Sequence, residues 1–189
     1  MKTNSNPEIK KYFGSVDTIA EDLLVKLLGS IQLPVNIDEV MSKLGVPCTL
    51  KDLDDDVSGA IRIEGNKASM IINQAHSDVR QRFTKAHEIG HLIAHMLTKS
   101  GESDGFVDRG NPDCSLKTYI EKNRDTNSSI GSDPEEVFAN KFAAALLIPK
   151  SKLLEYLRND LYASNIPLLA EIFKVSKTAM EFRLKSIGW

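Results

Sequence analysis

Apolar residues recur every three or four positions in two stretches near the start of the chain, which is the spacing of one helix face. The first stretch runs over Val16–Leu28 and is followed by Gly29, a residue type that commonly ends a helix. The second, shorter stretch runs over Ile37–Leu44 and is followed by Gly45. The pattern therefore predicts two helices that place apolar faces on a core, after a polar lead over residues 1–14.

Shorter apolar runs in the next part of the chain predict strands. Residues 58–63 and 68–73 are strand-like and are separated by Glu64-Gly65-Asn66-Lys67, which has the composition of a turn, so we expect a hairpin. Residues 46–50 predict a further strand. The acidic run over residues 52–56 lacks the glycine and the distal glutamate of an EF-hand calcium loop, and we expect a solvated turn there.

A helix beginning near Ser77 or Asp78 contains the pattern His87-Glu88-x-x-His91. Two histidines four residues apart lie about 40° apart around a helix, so both imidazoles can reach one metal ion. Zinc in catalytic sites takes three protein ligands and keeps a water whose pKa falls to about 7, and a glutamate beside that water can take its proton. The pattern predicts a zinc hydrolase with Glu88 as the base.

The same five residues also occur by chance in solvated helices, where the glutamate can pair with a lysine such as Lys85. The helical spacing of the flanking apolar residues favours the zinc site. Gly90 points the same way, because a glycine inside a helix costs about 0.5 to 1 kcal/mol relative to alanine. Its position between two candidate ligands predicts that another element packs closely against it.

The third metal ligand is predicted on a helix that starts at Ser132-Asp133-Pro134, with Ser132 or Asp133 as its cap, and is stopped by Pro149. Glu136 and Asn140 share one face of this helix, so a carboxylate can bind zinc while an amide hydrogen-bonds a ligand histidine. Glu135 lies about 100° away, without such an amide, and is expected to complement the helix start only. On the earlier helix, His95 lies roughly 12 Å in rise beyond His87, too far to join the same metal ion.

Between these helices, residues 100–131 are polar and weakly periodic, which predicts a long loop that could form a lid or one wall of a cleft. Cys114 in this loop could act as a latency ligand for zinc, with an inert thiol as the alternative. Tyr119, Arg124 and His95 are candidates for stabilising an oxyanion, and the spacing does not choose among them.

Composition narrows the class of protein. The chain has 189 residues, 41% hydrophobic and 26% charged, with a formal net charge of −2, which is typical of a soluble globular protein and gives no overall basic field for nucleic acid. No apolar run is long enough to span a bilayer, and Cys48 and Cys114 lie too far apart for a paired motif, so both are expected to be free thiols. We expect a cytoplasmic protein without a membrane partner.

Two motifs together resemble the ImmA/IrrE family of metallo-endopeptidases: RFTKAHEIGH over residues 82–91 and EVFANKFAAALLIP over residues 136–149. Ile148 stands where the family often has methionine, a volume-conserving change. The resemblance implies a zincin-like α+β fold, with a small antiparallel or mixed sheet packed on helices, and a Zn²⁺ cofactor. It also implies Glu88 as catalytic base, Glu136 as third ligand, and substrates that are helix-turn-helix repressors or antitoxins cut in stress or mobile-element responses.

The C-terminal part, residues 150–189, is helical and resembles a helix-turn-helix, with Ser176 as the cap of its second helix. It carries only seven Lys and Arg against four Asp and Glu, which is a weak basis for phosphate binding. We therefore expect it to complete one metallopeptidase domain, after a zincin-like core over residues 15–149, or to dock substrate. The alternative function is a non-proteolytic regulator that binds DNA or a repressor around a structural zinc.

Overall fold

The computed structural model describes residues 7–65, 67–99, 133–158, 162 and 165–189. A 3₁₀ helix, Pro7–Ser15, precedes the regular elements. In chain order these are helices α1 (Val16–Leu28) and α2 (Ile37–Leu44), strands β1 (Cys48–Lys51), β2 (Gly59–Glu64) and β3 (Lys67–Asn73), and helices α3 (Asp78–Lys99), α4 (Pro134–Leu147), α5 (Lys150–Leu157), α6 (Ile166–Phe173) and α7 (Lys177–Ser186). The fold is mixed α+β, as the sequence predicts.

The three strands form one mixed sheet in the order β1-β3-β2, so β3 is central and β2 lies at an edge. β2 and β3 form the predicted antiparallel hairpin, in which Glu64 is opposite Lys67 and Gly65 adopts a positive φ of 57°. β1 runs parallel to β3. The buried side chains Ile61, Met70 and Ile72 attach this sheet to the helical core.

The acidic turn before β2 is held by a buried asparagine at the end of β3. The Nδ2 atom of Asn73 donates to the carbonyl oxygens of Leu53, Asp54 and Val57, at 3.3, 3.2 and 2.9 Å. The carboxylates from Asp54 to Asp56 are exposed. The prediction of a solvated turn is confirmed.

Residues 7–15 pack on the core more closely than the polar composition of this part of the chain predicts. Within the 3₁₀ helix, Ile9 is fully buried and Phe13 packs against the core. Tyr12 donates a hydrogen bond to the carbonyl oxygen of Leu97 near the end of α3, at 3.4 Å. These three apolar residues therefore anchor to the helices a segment for which the sequence predicts only a polar lead.

The C-terminal helices pack on the same hydrophobic core as the rest of the described chain, through buried Phe173, Met180 and Leu184. Ser176 caps α7 as predicted, accepting a hydrogen bond from the backbone N–H of Ala179 at 3.1 Å. The two short helices and the turn between them thus have the predicted arrangement.

Arg183 of α7 is only 5% exposed and connects three elements. Its Nε donates to the carbonyl oxygen of Ile148, just beyond α4, at 3.0 Å, and its guanidinium pairs with Asp17 of α1. Arg183 therefore fixes the tail to the core.

Candidate metal centre

Helices α3 and α4 bring three potential metal ligands together. His87, His91 and Glu136 each offer an atom within 4.8 Å of the others. The Nε2 atoms of the two histidines lie 3.1 Å apart, and each is 3.3 Å from a different carboxylate oxygen of Glu136. Among the described residues this is the group of His, Cys, Asp and Glu side chains that could hold a metal ion.

The outer ring nitrogens of both histidines face acceptors. His87 Nδ1 lies 3.0 Å from Oδ1 of Asn140, and His91 Nδ1 lies 3.3 Å from Oε1 of Glu135. An amide or carboxylate oxygen accepts hydrogen bonds, so each Nδ1 carries a hydrogen and each Nε2 faces inward, where its lone pair can bind a metal ion when that nitrogen is unprotonated.

This donor set fits a divalent metal ion. Two inward lone pairs only 3.1 Å apart repel each other unless a cation or a proton lies between them. Oε2 of Glu136 is buried without a hydrogen-bond partner, although the His87 ring lies 3.3 Å away. Two imidazole nitrogens and one carboxylate are the ligands of a known class of catalytic zinc sites, with the fourth position left for water.

The charges of the three ligand side chains depend on one another. Burial alone would lower the pKa of His91, but hydrogen bonds to the carboxylates of Glu135 and Glu136 outweigh it and raise the pKa to about 10. Burial would raise the pKa of Glu136, but the close approach of the His87 and His91 rings to its carboxylate holds this pKa well below its ordinary value. The pair therefore stores a proton where a metal cation would supply the positive charge.

Glu88 stands beside this group with a different environment. Its side chain is buried, with the residue 3% exposed, and this burial raises its pKa. The neighbouring His91 and His87 oppose the rise, and the backbone N–H of Ile61 in β2 hydrogen-bonds its carboxyl group. Lys85 pairs instead with Asp38 at 2.7 Å, so the arrangement of a solvated Glu–Lys helix pair is not the one found.

The close approach of α3 and α4 depends on Gly90. A Cβ atom at this position would lie 2.8 Å from Cα and 3.2 Å from Cβ of Ala139. The prediction that another element packs against Gly90 is confirmed. The small residue of α4 that makes this contact is Ala139.

The helix start that carries Glu136 is built as the sequence predicts. Asp133 is the N-cap and accepts a hydrogen bond from the backbone N–H of Glu135 at 2.9 Å, with Pro134 in the first turn. The cap role is therefore filled by Asp133. The Glu135 side chain, expected to complement the helix start only, lies against His91.

The other predicted residues divide into two groups. Cys114, Tyr119, Arg124 and the loop over residues 100–131 lie outside the described residues. His95 is absent from the described metal-ligand group, in agreement with the helical spacing. Cys48 is a free thiol, as predicted.

The fold and this group of potential metal ligands can be set beside known proteins. The family model described as the IrrE N-terminal-like domain, a peptidase family, matches residues 41–112 and 114–185. The chain therefore belongs to this peptidase family, which confirms the resemblance to the ImmA/IrrE family. No curated protein matches the sequence significantly.

A solved structure described as a Mycobacterium tuberculosis transcriptional regulator is similar to this chain with a TM-score of 0.60 and 17% sequence identity. The similarity covers 94% of this chain and 51% of that one, so this chain spans about half the length of its structural neighbour. At this identity the similarity concerns the fold alone. No helix among the described residues is both long and apolar enough to cross a bilayer.

Proposed function

We propose that this chain is a zinc-dependent endopeptidase in which His87, His91 and Glu136 hold the metal ion and Glu88 transfers protons. The observation that carries the proposal is the convergence of two inward Nε2 atoms and one carboxylate beside a buried glutamate with a raised pKa. Two histidines and one glutamate fit zinc better than magnesium or calcium, which prefer oxygen ligands.

When bound, the metal ion supplies Lewis acidity at the scissile carbonyl and lowers the pKa of water. The Glu88 carboxylate accepts a proton from the attacking water while the oxygen of that water bonds to the carbonyl carbon of the substrate. Glu88 then gives this proton to the amide nitrogen as the C–N bond breaks. The electron pair of that bond stays on the nitrogen, which leaves as an amine. Burial suits Glu88 to this work, because a raised pKa lies closer to the pH at which the enzyme operates.

The edge strand β2 offers a place for an extended substrate. The backbone N–H of Asn73 donates to the carbonyl oxygen of Ser58, just before β2. Because bonded and non-bonded residue pairs alternate along antiparallel strands, this bond fixes which residues of β2 face β3. In this pattern the backbone groups of Ile61 and Ile63 point away from β3, and the Ile61 N–H is the one that reaches Glu88. We infer that a substrate peptide pairs with this edge and so presents its carbonyl beside Glu88.

A cavity of about 260 Å³ opens beside Asn140, between α4, α1 and α7. Its lining includes Lys141 and Phe182, and Phe182 is 68% exposed. The tail thus forms one wall of a cavity that reaches Asn140, the neighbour of His87, and this supports a part for the tail in substrate docking.

The substrate we propose is a helix-turn-helix repressor or antitoxin, as the family resemblance implies, cut in a stress or mobile-element response. The rival proposal is a non-proteolytic regulator that binds DNA or a repressor around a structural zinc. Against DNA binding, Arg183 of the helix-turn-helix-like tail is buried and paired with Asp17.

Purification followed by metal analysis and incubation with the repressor encoded beside the gene tests the proposal. We expect one zinc ion per chain, cleavage of the repressor, loss of cleavage with a chelator and its recovery with added zinc. Zinc without cleavage, together with a gel shift of operator DNA that disappears when residues 166–189 are deleted, would favour the rival.

A further inference from the structure

We propose that Glu135 is a positioning residue of the metal centre: its carboxylate orients the imidazole of His91 and strengthens the hold of that imidazole on the metal ion. The inference rests on the proposed metal-binding function. Its basis is the distance of 3.3 Å between Oε1 of Glu135 and Nδ1 of His91.

The geometry separates Glu135 from a metal ligand. Its carboxylate faces Nδ1 of His91, whereas the inward Nε2 atoms and the Glu136 carboxylate meet on the opposite side of the ring. A group hydrogen-bonded to Nδ1 lies behind the imidazole, so it fixes the ring orientation and the tautomer that leaves Nε2 free to bind metal. Glu135 and Glu136 are adjacent in sequence and thus act on the same histidine from two sides.

The geometry also separates Glu135 from a simple helix cap. Asp133 accepts the first hydrogen bond of α4, and it does so from the backbone N–H of Glu135. The side chain of Glu135 is 26% exposed and the side chain of His91 is 12% exposed, so their contact is partly shielded from water. Hydrogen bonds between charged groups strengthen under such shielding.

The two histidines are therefore supported unequally. Asn140 gives His87 a neutral acceptor at 3.0 Å, and Glu135 gives His91 an anionic acceptor. An anionic acceptor draws the Nδ1 hydrogen more strongly and makes Nε2 a better electron donor. Of the two imidazole ligands, His91 is thus the one whose orientation depends on an anionic acceptor.

Zinc affinity, measured by competition with a chromophoric chelator, tests this inference without reference to peptidase activity. For Glu135→Gln, which keeps an acceptor but removes the charge, and for Glu135→Ala, we expect the Kd for zinc to rise about 10-fold to 100-fold. Cobalt(II) substitution supplies a second measurement, and we expect its visible absorption bands to shift in Glu135→Gln.

Asp133→Ala is the matched control, because it removes the cap of the same helix and leaves the contact with His91 in place. We expect it to lower the midpoint of thermal unfolding while the zinc Kd changes less than about threefold. If the Glu135 variants bind zinc as tightly as the unaltered chain, or if Asp133→Ala weakens zinc equally, the positioning role is wrong. Failure of the unaltered chain to bind zinc would instead contradict the proposed function.

Discussion

Gly90 of α3 lies so close to Ala139 of α4 that a Cβ atom on residue 90 would be 2.8 Å from Cα of Ala139. Gly90 lies between the two histidines in the sequence of α3, and Ala139 belongs to α4, the helix that carries Glu136. The spacing of α3 and α4 therefore sets the distance between the imidazoles and the carboxylate.

Gly90→Ala tests that relationship. The added methyl group pushes against backbone, so overpacking of about 1–3 kcal/mol outweighs the roughly 0.5–1 kcal/mol that alanine gains in a helix. We expect the free energy of unfolding to fall by about 1–2 kcal/mol and zinc to bind more weakly. Gly14→Ala is the control, since nothing lies within 4 Å of its Cβ position. Equal stability of both variants in urea would show that the contact is not tight.

Removal of the third ligand is expected to empty the site. In Glu136→Ala, only two histidines remain to hold the metal, and two protein ligands bind zinc weakly. We predict loss of most bound zinc and of all cleavage, measured by metal analysis of the dialysed protein. Full zinc occupancy in Glu136→Ala would move the third ligand to another residue.

The tail is expected to stabilise the chain through Arg183. Arg183→Ala leaves the carboxylate of Asp17 and the carbonyl of Ile148 without their donor, and we expect a loss of about 2–3 kcal/mol in urea unfolding. Lys185→Ala on the same helix, where the side chain is exposed, should change stability by less than about 0.5 kcal/mol.

Deletion of residues 166–189 should unfold the chain or prevent substrate capture. An intact fold in Arg183→Ala with lost DNA binding would support the regulator.

Proton binding should govern the stability of the chain when metal is removed. The pKa of His91 rises to about 10 on folding, so between about pH 6.5 and 10 the folded chain binds more protons than the unfolded chain. Stability from this group is complete below about pH 6.5 and is lost as the pH rises. Glu136 acts in the opposite direction. Because folding lowers its pKa, it stabilises the folded chain at pH values above the ordinary pKa of a glutamate, and this stability is lost in acid.

Urea unfolding in the presence of a chelator, at several pH values from about 5 to 9, measures this effect. We expect the free energy of unfolding to decline above about pH 6.5 and the decline to be much smaller in His91→Gln. Saturating zinc should abolish the decline, because the metal replaces the proton. Identical pH profiles for His91→Gln and the unaltered chain would contradict the coupling.

The sequence predicts the helices and the hairpin well because their signals are local. Helical spacing, the cap at Asp133 and the turn at Gly65 each act within a few residues. The choice of candidate metal ligands rests on the same local rules, since His87 and His91 share one helix face and Glu136 shares a face with Asn140.

The sequence predicts the close packing at Gly90 but not the contacts of Glu135 and Arg183, which depend on how distant elements meet. Rotation around α4 alone places Glu135 about 100° from Glu136, which argues against a shared site. His91 lies one helical turn beyond His87. Because α3 crosses α4 closely at Gly90, the outer nitrogen of His91 meets the side chain of Glu135. The burial of Arg183 likewise depends on elements distant in sequence, namely α1 and the end of α4.

Glu88→Gln tests the central claim most directly, because Glu88 is proposed to move protons without binding the metal. Glu155→Gln, on an exposed face of α5, is the matched control. Metal content and cleavage of the repressor are measured side by side for both variants and the unaltered chain. We predict full zinc content in all three proteins and cleavage that is lost in Glu88→Gln alone. Cleavage by a folded, zinc-loaded Glu88→Gln protein would contradict the mechanism.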